Sequence, residues 1–232
     1  MIREEDRYVR LPDPVITSAR TNVLIEFTGF RCVNCPTASE TAQGLLGMYG
    51  EQLIVVAMHP ASNPFTQGKY DYTCPESDVY YAQCGGTAQT PFPTGSINLE
   101  PYEGAYFINP TDWAGCLNRL IQDSVHVTVS ELDVTMDMSR KIQINSSLKG
   151  DSADIQKVYW LVEDSICGMQ AMPDGSANKE YYHRHVFRGI VDSDAYLLPE
   201  EYDASHCSLV AVLMDKEQHI INAKQTKIKI DK

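Results

Sequence analysis

No run of about 18 apolar residues occurs in the chain, so the sequence predicts no membrane-spanning helix. The longest apolar stretches, such as Leu53 to Met58, have the length of a β-strand. Basic charge is also scarce: 19 Lys and Arg face 31 Asp and Glu, a formal charge of −12. A protein that tracks phosphates needs clustered cations, which excludes nucleic acid as a partner. The apolar core of an export signal is missing at the N-terminus, where Arg3, Glu4, Glu5, Asp6 and Arg7 stand instead. Two locations are compatible with that: the cytoplasm, or the cell envelope for a mature segment whose signal lies outside this sequence. The seven cysteines favour the second, and their odd number leaves at least one thiol free or paired outside the chain. Repeats and low-complexity segments are absent. With 43% hydrophobic residues in 232, the chain has enough apolar material for one large or two ordinary folded domains.

The order of local signals separates two regions. Residues 1–21 carry Pro12 and Pro14 and read as an extended lead-in, with a short edge strand at Tyr8 to Leu11. Asn22 to Phe27 (NVLIEF) and Leu53 to Met58 (LIVVAM) are continuous apolar runs, the pattern of strands buried on both faces. Between them, Pro36 to Tyr49 reads as a helix ended by Gly50. This strand–helix–strand order predicts a parallel pair. An irregular stretch follows from His59 to Thr73, then a short helix from Pro75 to Gln83. Thr94 to Leu99 reads as a strand with Gly104 to Ile108 as its hairpin partner. Asn109-Pro110-Thr111-Asp112 has the chemistry of a helix start, and Trp113, Cys116, Leu117, Leu120 and Ile121 recur on one helical face. Beyond residue 123 the apolar period becomes two, as in Val125, Val127 and Val129, and turn signals separate six or seven strands. The fold class expected is therefore an α/β domain over residues 1–123, followed by an all-β, immunoglobulin-like sandwich over 124–232.

The chemistry points to Cys32-Val33-Asn34-Cys35. A CxxC between a strand and a helix faces the unpaired N–H groups and partial positive charge of the helix start. Both favour thiolate at Cys32, with Arg31 as an added cation, and a thiolate is the species that attacks a disulfide. Cys35, one turn into the helix and less exposed, is placed to resolve the mixed disulfide. The competing readings are a structural disulfide and half of a zinc site. Zinc needs a second pair of ligands, which Cys74 and Cys84 do not match, so no metal or other cofactor is expected.

NVLIEFTGFRCVNC resembles the strand and active-site segment of thioredoxins and protein disulfide isomerases. The resemblance implies a thioredoxin-like first domain. It also implies that Glu26, six residues before Cys32, exchanges a proton with Cys35, a task that burial suits by raising the carboxyl pKa. A second mark of that superfamily is a cis-proline facing the cysteines. Pro93, followed by Thr94, fits it, with Pro91 the runner-up, and its role would be to align a substrate backbone. The usual tryptophan before the first cysteine is replaced by Arg31. Over nearly the whole length, TGFRCVNCP, the PTG after Phe92 and EDSICGMQ…YYHRHVFRG are similar to a family of Bacteroidetes outer-membrane-associated lipoproteins with a thioredoxin-like half and a β-sandwich half. That likeness implies export to the periplasm or outer-membrane surface and a lipid anchor on a cysteine outside this sequence.

Other residues leave alternatives. Cys74 and Cys84 could pair, or Cys84 could be a small core residue; Cys167 and Cys207 could bridge two strands. Cys116 belongs to a helical apolar face. His59 ends the second parallel strand, where it could tune Cys32 or simply occupy a loop. His183 and His185 share a strand face by period two, a metal-compatible spacing, although the Tyr181, Tyr182, Phe187 and Arg188 around them read as a packed edge or recognition surface. Two functions follow: a thiol–disulfide oxidoreductase of the cell envelope acting on protein thiols or disulfides through Cys32, Cys35, Glu26 and Pro93, or a non-enzymatic surface binding protein whose CxxC is a structural disulfide.

Overall fold

The computed structural model describes residues 18–192 and 196–231; the expected strand at Tyr8 to Leu11 lies outside them. The N-terminal half of the described chain holds short β1 (Ser18–Ala19), β2 (Asn22–Phe27), α1 (Cys35–Tyr49), β3 (Leu53–Met58), α2 (Pro75–Gln83), β4 (Thr94–Ile97) and α3 (Trp113–Leu120). The rest is β: β5 (Ser124–Val125), β6 (Val127–Met136), β7 (Ile142–Gly150), β8 (Gln156–Glu163), β9 (Ile166–Ala171), β10 (Ala177–His183), β11 (Val186–Ile190), β12 (Cys207–Met214), β13 (Ile220–Lys227) and β14 (Lys229–Ile230).

Two separately cored domains do not form. One seven-stranded mixed sheet runs in the order β13-β12-β8-β11-β3-β2-β4 and takes strands from both sides of residue 123. Its join is the parallel contact of β11 with β3, where Val186 pairs with Ala57 and the Ala57 N–H donates to the His185 carbonyl at 2.7 Å. The expected α/β domain followed by an immunoglobulin-like sandwich is thus replaced by a mostly β structure built around a shared sheet. The physical reason lies in β12, whose residues CSLVAVLM are buried at every position, as are those of β2 and β3. A half-solvated sandwich strand alternates, whereas a strand covered on both faces is continuously apolar. Period-two alternation marks both ends of β6 and the start of β7, which with β14 make a smaller three-stranded sheet.

One face of the large sheet encloses a single core. Val23, Ile25 and Phe27 of β2, Val56 and Met58 of β3, Trp160 and Val162 of β8, and Val210 and Val212 of β12 pack together in it. Each such side chain contributes about 1.5–3 kcal/mol by leaving water, so the two halves stabilise each other. The other face is covered by α1 and α3 at one end, through Ala38, Ala42, Leu45, Trp113 and Leu117, and by β6 and β7 at the other. The sheet's two edges also meet, because the Ile220 N–H donates to the Asn98 carbonyl at 2.7 Å. Two buried asparagines clasp this seam. Asn98, at φ 59°, accepts from the Val23 N–H at 2.8 Å, and Asn222 accepts from the Thr21 N–H at 3.0 Å. Asparagine tolerates the left-handed conformation better than most residues.

Local expectations differ from the structure in detail. The hairpin partner of β4 shrinks to a bridge between Gly95 and Ile108, and α3 begins at Trp113 rather than beside the Asn109 cap. No described helix is long and apolar enough to cross a membrane.

Candidate functional site

Strand β2 ends at Phe27, and the chain turns through Thr28 to Asn34 into α1. Cys32 and Cys35 form a disulfide with their Cα atoms 5.4 Å apart. The turn is fixed by hydrogen bonds from the Cys32 N–H to the Gly29 carbonyl (3.0 Å) and from the Cys35 N–H to the Cys32 carbonyl (3.3 Å). Pro36 in the first turn suits the start of α1, where a missing N–H is harmless. Cys35 is the first residue of the helix, not one turn inside it.

Cys32 is not the more accessible cysteine: both are 2% exposed. Two segments cover them. The loop after β3 reaches over Gly29, where an added Cβ would lie 2.5 Å from the Phe65 carbonyl oxygen, and the Arg31 N–H donates to that carbonyl at 3.0 Å. The β9–β10 hairpin closes the other side. Its Gln170 side chain donates to the Cys32 carbonyl at 2.9 Å, and the Ala171 N–H donates to the Phe30 carbonyl at 2.8 Å. Arg31 is exposed, with its guanidinium directed to the Gln67 carbonyl at 3.4 Å.

Below the disulfide lies a cavity of about 20 Å³ lined by Glu26, Cys35, His59, Gln170 and His183, with Tyr181 and Arg184 at its rim. Glu26, on β2 between Ala57 and Gly95, is 2% exposed, and its Oε1 has no hydrogen-bond partner in the protein. Burial raises its pKa from 4.5 to about 8, because the charged carboxylate has lost its solvent. His59 follows β3 and is 1% exposed, and neither ring nitrogen has a partner. His183 ends β10, is 5% exposed and leaves Nε2 without one. Burial holds His59 well below its usual range and brings His183 down to about 4, so both rings are neutral at pH 7. Orphan polar atoms in a protein interior are rare and each costs about 1–3 kcal/mol, so their convergence on one cavity marks a built site.

The remaining expected residues fall as follows. The Phe92–Pro93 bond is cis, and Pro93 borders an open groove with Asn34, Thr37 and Ala38 on the helix side of the CxxC. Phe92 packs in the core that holds both cysteines. Cys74 and Cys84 are free thiols at the two ends of α2, and its nine residues keep them too far apart to bridge. Cys167 is free and exposed on β9, Cys207 is free and buried, and Cys116 packs in the core under α3. His183 and His185 do not share a strand face, because the chain breaks between β10 and β11 and His185 adopts φ 55°. His185 instead lies 3.1 Å from Asp164. Among the described residues no group of three His, Cys, Asp or Glu side chains is close enough to hold a metal ion. Sequence reasoning missed Gln170 and the grouping of His59 and His183 with Glu26. The turn Pro173-Asp174-Gly175, flanked by polar strands, is the signal that betrays the hairpin carrying Gln170 and His183.

No protein-family model and no curated protein matches this chain. Two solved structures are similar to it. HBP35 of Porphyromonas gingivalis has a TM-score of 0.68 and 18% identity, over 90% of this chain and 76% of that one. Protein AGR_C_4864 of Agrobacterium tumefaciens has a TM-score of 0.51 and 15% identity, over 90% of this chain and 94% of that one. At such identities the likeness is one of fold. The first neighbour agrees at that level with the Bacteroidetes family that the sequence resembles.

Proposed function

We propose that Cys32 and Cys35 are the working pair of a thiol–disulfide oxidoreductase of the cell envelope. The observation that carries this reading is the buried carboxyl of Glu26, with a free oxygen, in the same cavity as Cys35. In the exchange, an incoming thiolate attacks the Cys32 sulfur and the Cys32–Cys35 bond breaks. The electron pair passes to Cys35, and protonated Glu26 gives that thiolate its proton. A second substrate thiolate then attacks the mixed disulfide, releasing Cys32 and an oxidised substrate. The groove at Pro93, Asn34 and Thr37 is where a substrate segment would lie. A protein disulfide also favours an oxidising compartment, in keeping with the envelope.

The test is reduction of the folded protein by dithiothreitol, followed by alkylation and mass determination. Cys32 and Cys35 are expected to become alkylated without denaturant. Cys32→Ser should abolish turnover of a disulfide substrate, and Cys35→Ser should trap mixed disulfides. The cover over both sulfurs favours a second reading, a surface binding protein in which the disulfide staples the turn. Resistance of the native pair to dithiothreitol would establish that reading in place of the first.

A further inference from the structure

Glu26 alone does not complete a proton transfer. A carboxyl that has given its proton to Cys35 is left charged in a dry interior, and Glu26 is 2% exposed. Its proton must be replaced from outside. The groups on such a path come from three different parts of the chain: Glu26 from β2, His59 after the end of β3 and His183 from the end of β10. The two imidazole rings are 6.3 Å apart, and the Tyr72 ring packs against both, 5.4 Å from His59 and 4.5 Å from His183. Tyr72 also leaves its buried hydroxyl unpartnered. The cavity lined by Glu26, His59 and His183, about 20 Å³, exceeds the roughly 10–15 Å³ that one water needs, and the unpartnered atoms of these three residues supply the 2–4 polar partners that hold such a water.

We propose that Glu26, His59 and His183, bridged by a water in this cavity, form a proton relay from Cys35 to the rim at Tyr181 and Arg184. The role of the relay in exchange rests on the oxidoreductase reading above. A neutral imidazole presents one donor and one acceptor nitrogen, so it takes a proton on one side and gives one on the other without a net charge remaining. The surroundings keep the rings neutral. Burial acts first; for His59 the neighbouring His183 comes next, and the Arg188 guanidinium on β11 adds positive charge that disfavours imidazolium at both rings. During reduction of the disulfide, Glu26 protonates the Cys35 thiolate and is itself reprotonated through water and imidazole from solvent. Oxidation runs the same path outward. The β9–β10 hairpin then has two tasks, covering the sulfurs with Gln170 and delivering His183.

The test reads the path directly and does not depend on turnover. In the oxidised protein at a pH where Glu26 is protonated, its carboxyl gives an infrared carbonyl band, identified by its loss in Glu26→Gln. On mixing with D2O that band should shift quickly in the wild type and about a hundredfold more slowly in His183→Phe, the size of effect a positioned acid–base group supplies. His59→Gln, whose amide cannot pass a proton, should slow it as well and covers the case in which His183→Phe does not fold. Equal exchange rates in wild type and folded variants would overturn the relay. Failure of the oxidoreductase reading shows elsewhere, as a native disulfide that resists dithiothreitol, and the exchange rates still decide whether the path exists.

Discussion

Glu26→Gln isolates the energetic consequence of burying an ionisable group without a partner. Glutamine keeps the shape and stays neutral, so it removes the charge and little else. The native carboxyl titrates at about 8 against 4.5 in the unfolded chain. Because the native pKa is the higher one, the folded state binds the extra proton between these values, and stability falls as pH rises through that window. Below 4.5 both states are protonated and the penalty is absent. Above it the penalty grows by about 1.4 kcal/mol per pH unit, reaching about 3 kcal/mol at pH 7 and levelling near 5 kcal/mol beyond pH 8. Glu26→Gln should therefore resemble the wild type near pH 5 and exceed it progressively toward pH 8, on the order of several kcal/mol. Urea denaturation of the oxidised proteins across that range measures the difference. Parallel stability curves for the two proteins would refute the argument, since they would mean that Glu26 ionises in the fold as easily as in water.

Three further perturbations address the cover, the turn and the thiols. Gln170→Ala removes the side-chain bond to the Cys32 carbonyl; a loss of about 1 kcal/mol should speed native-state reduction by dithiothreitol about fivefold, read by timed alkylation. Gly29→Ala places a Cβ 2.5 Å from the Phe65 carbonyl oxygen, a backbone atom that cannot swing away, and should lower stability by about 1–3 kcal/mol in thermal or urea melts. Alkylation of the unreduced, denatured protein should label five cysteines, leaving Cys32 and Cys35 unlabelled; a count of three would restore a second bridge.

Much of the local structure was legible. NVLIEF and LIVVAM declare themselves as buried strands, and the helix after Cys35 ends at Gly50, which takes φ 54°. What was not legible is that the two halves share a sheet. The clue was present in β12: CSLVAVLM is as continuous as LIVVAM and equally incompatible with one wet face. The alternation of Val125, Val127 and Val129 belongs to the outer layer and outweighed it, although period describes how each strand is covered and not which sheet it joins. Pairing between β11 and β3 is a non-local event, and nothing in either segment alone specifies it.

The same non-locality governs the site. Cys32, Cys35 and Glu26 lie within one strand–turn–helix segment, and local chemistry finds them. Gln170 and His183 lie about 140–150 residues away, and the aromatics around His183 read as a packed edge or recognition surface. They reach the cysteines because β11, immediately after β10, is tied to β3 at Val186 and Ala57. That pairing fixes the end of the hairpin beside His59, which leaves β3 two residues beyond Ala57. The sheet that merges the two halves is thus also the device that assembles the polar cavity. A chain with two independent domains would have to build such a cavity across a mobile interface, where orphan polar atoms would simply be solvated. Here they are held out of bulk solvent beside Cys35, the condition under which a raised carboxyl pKa and neutral imidazoles persist.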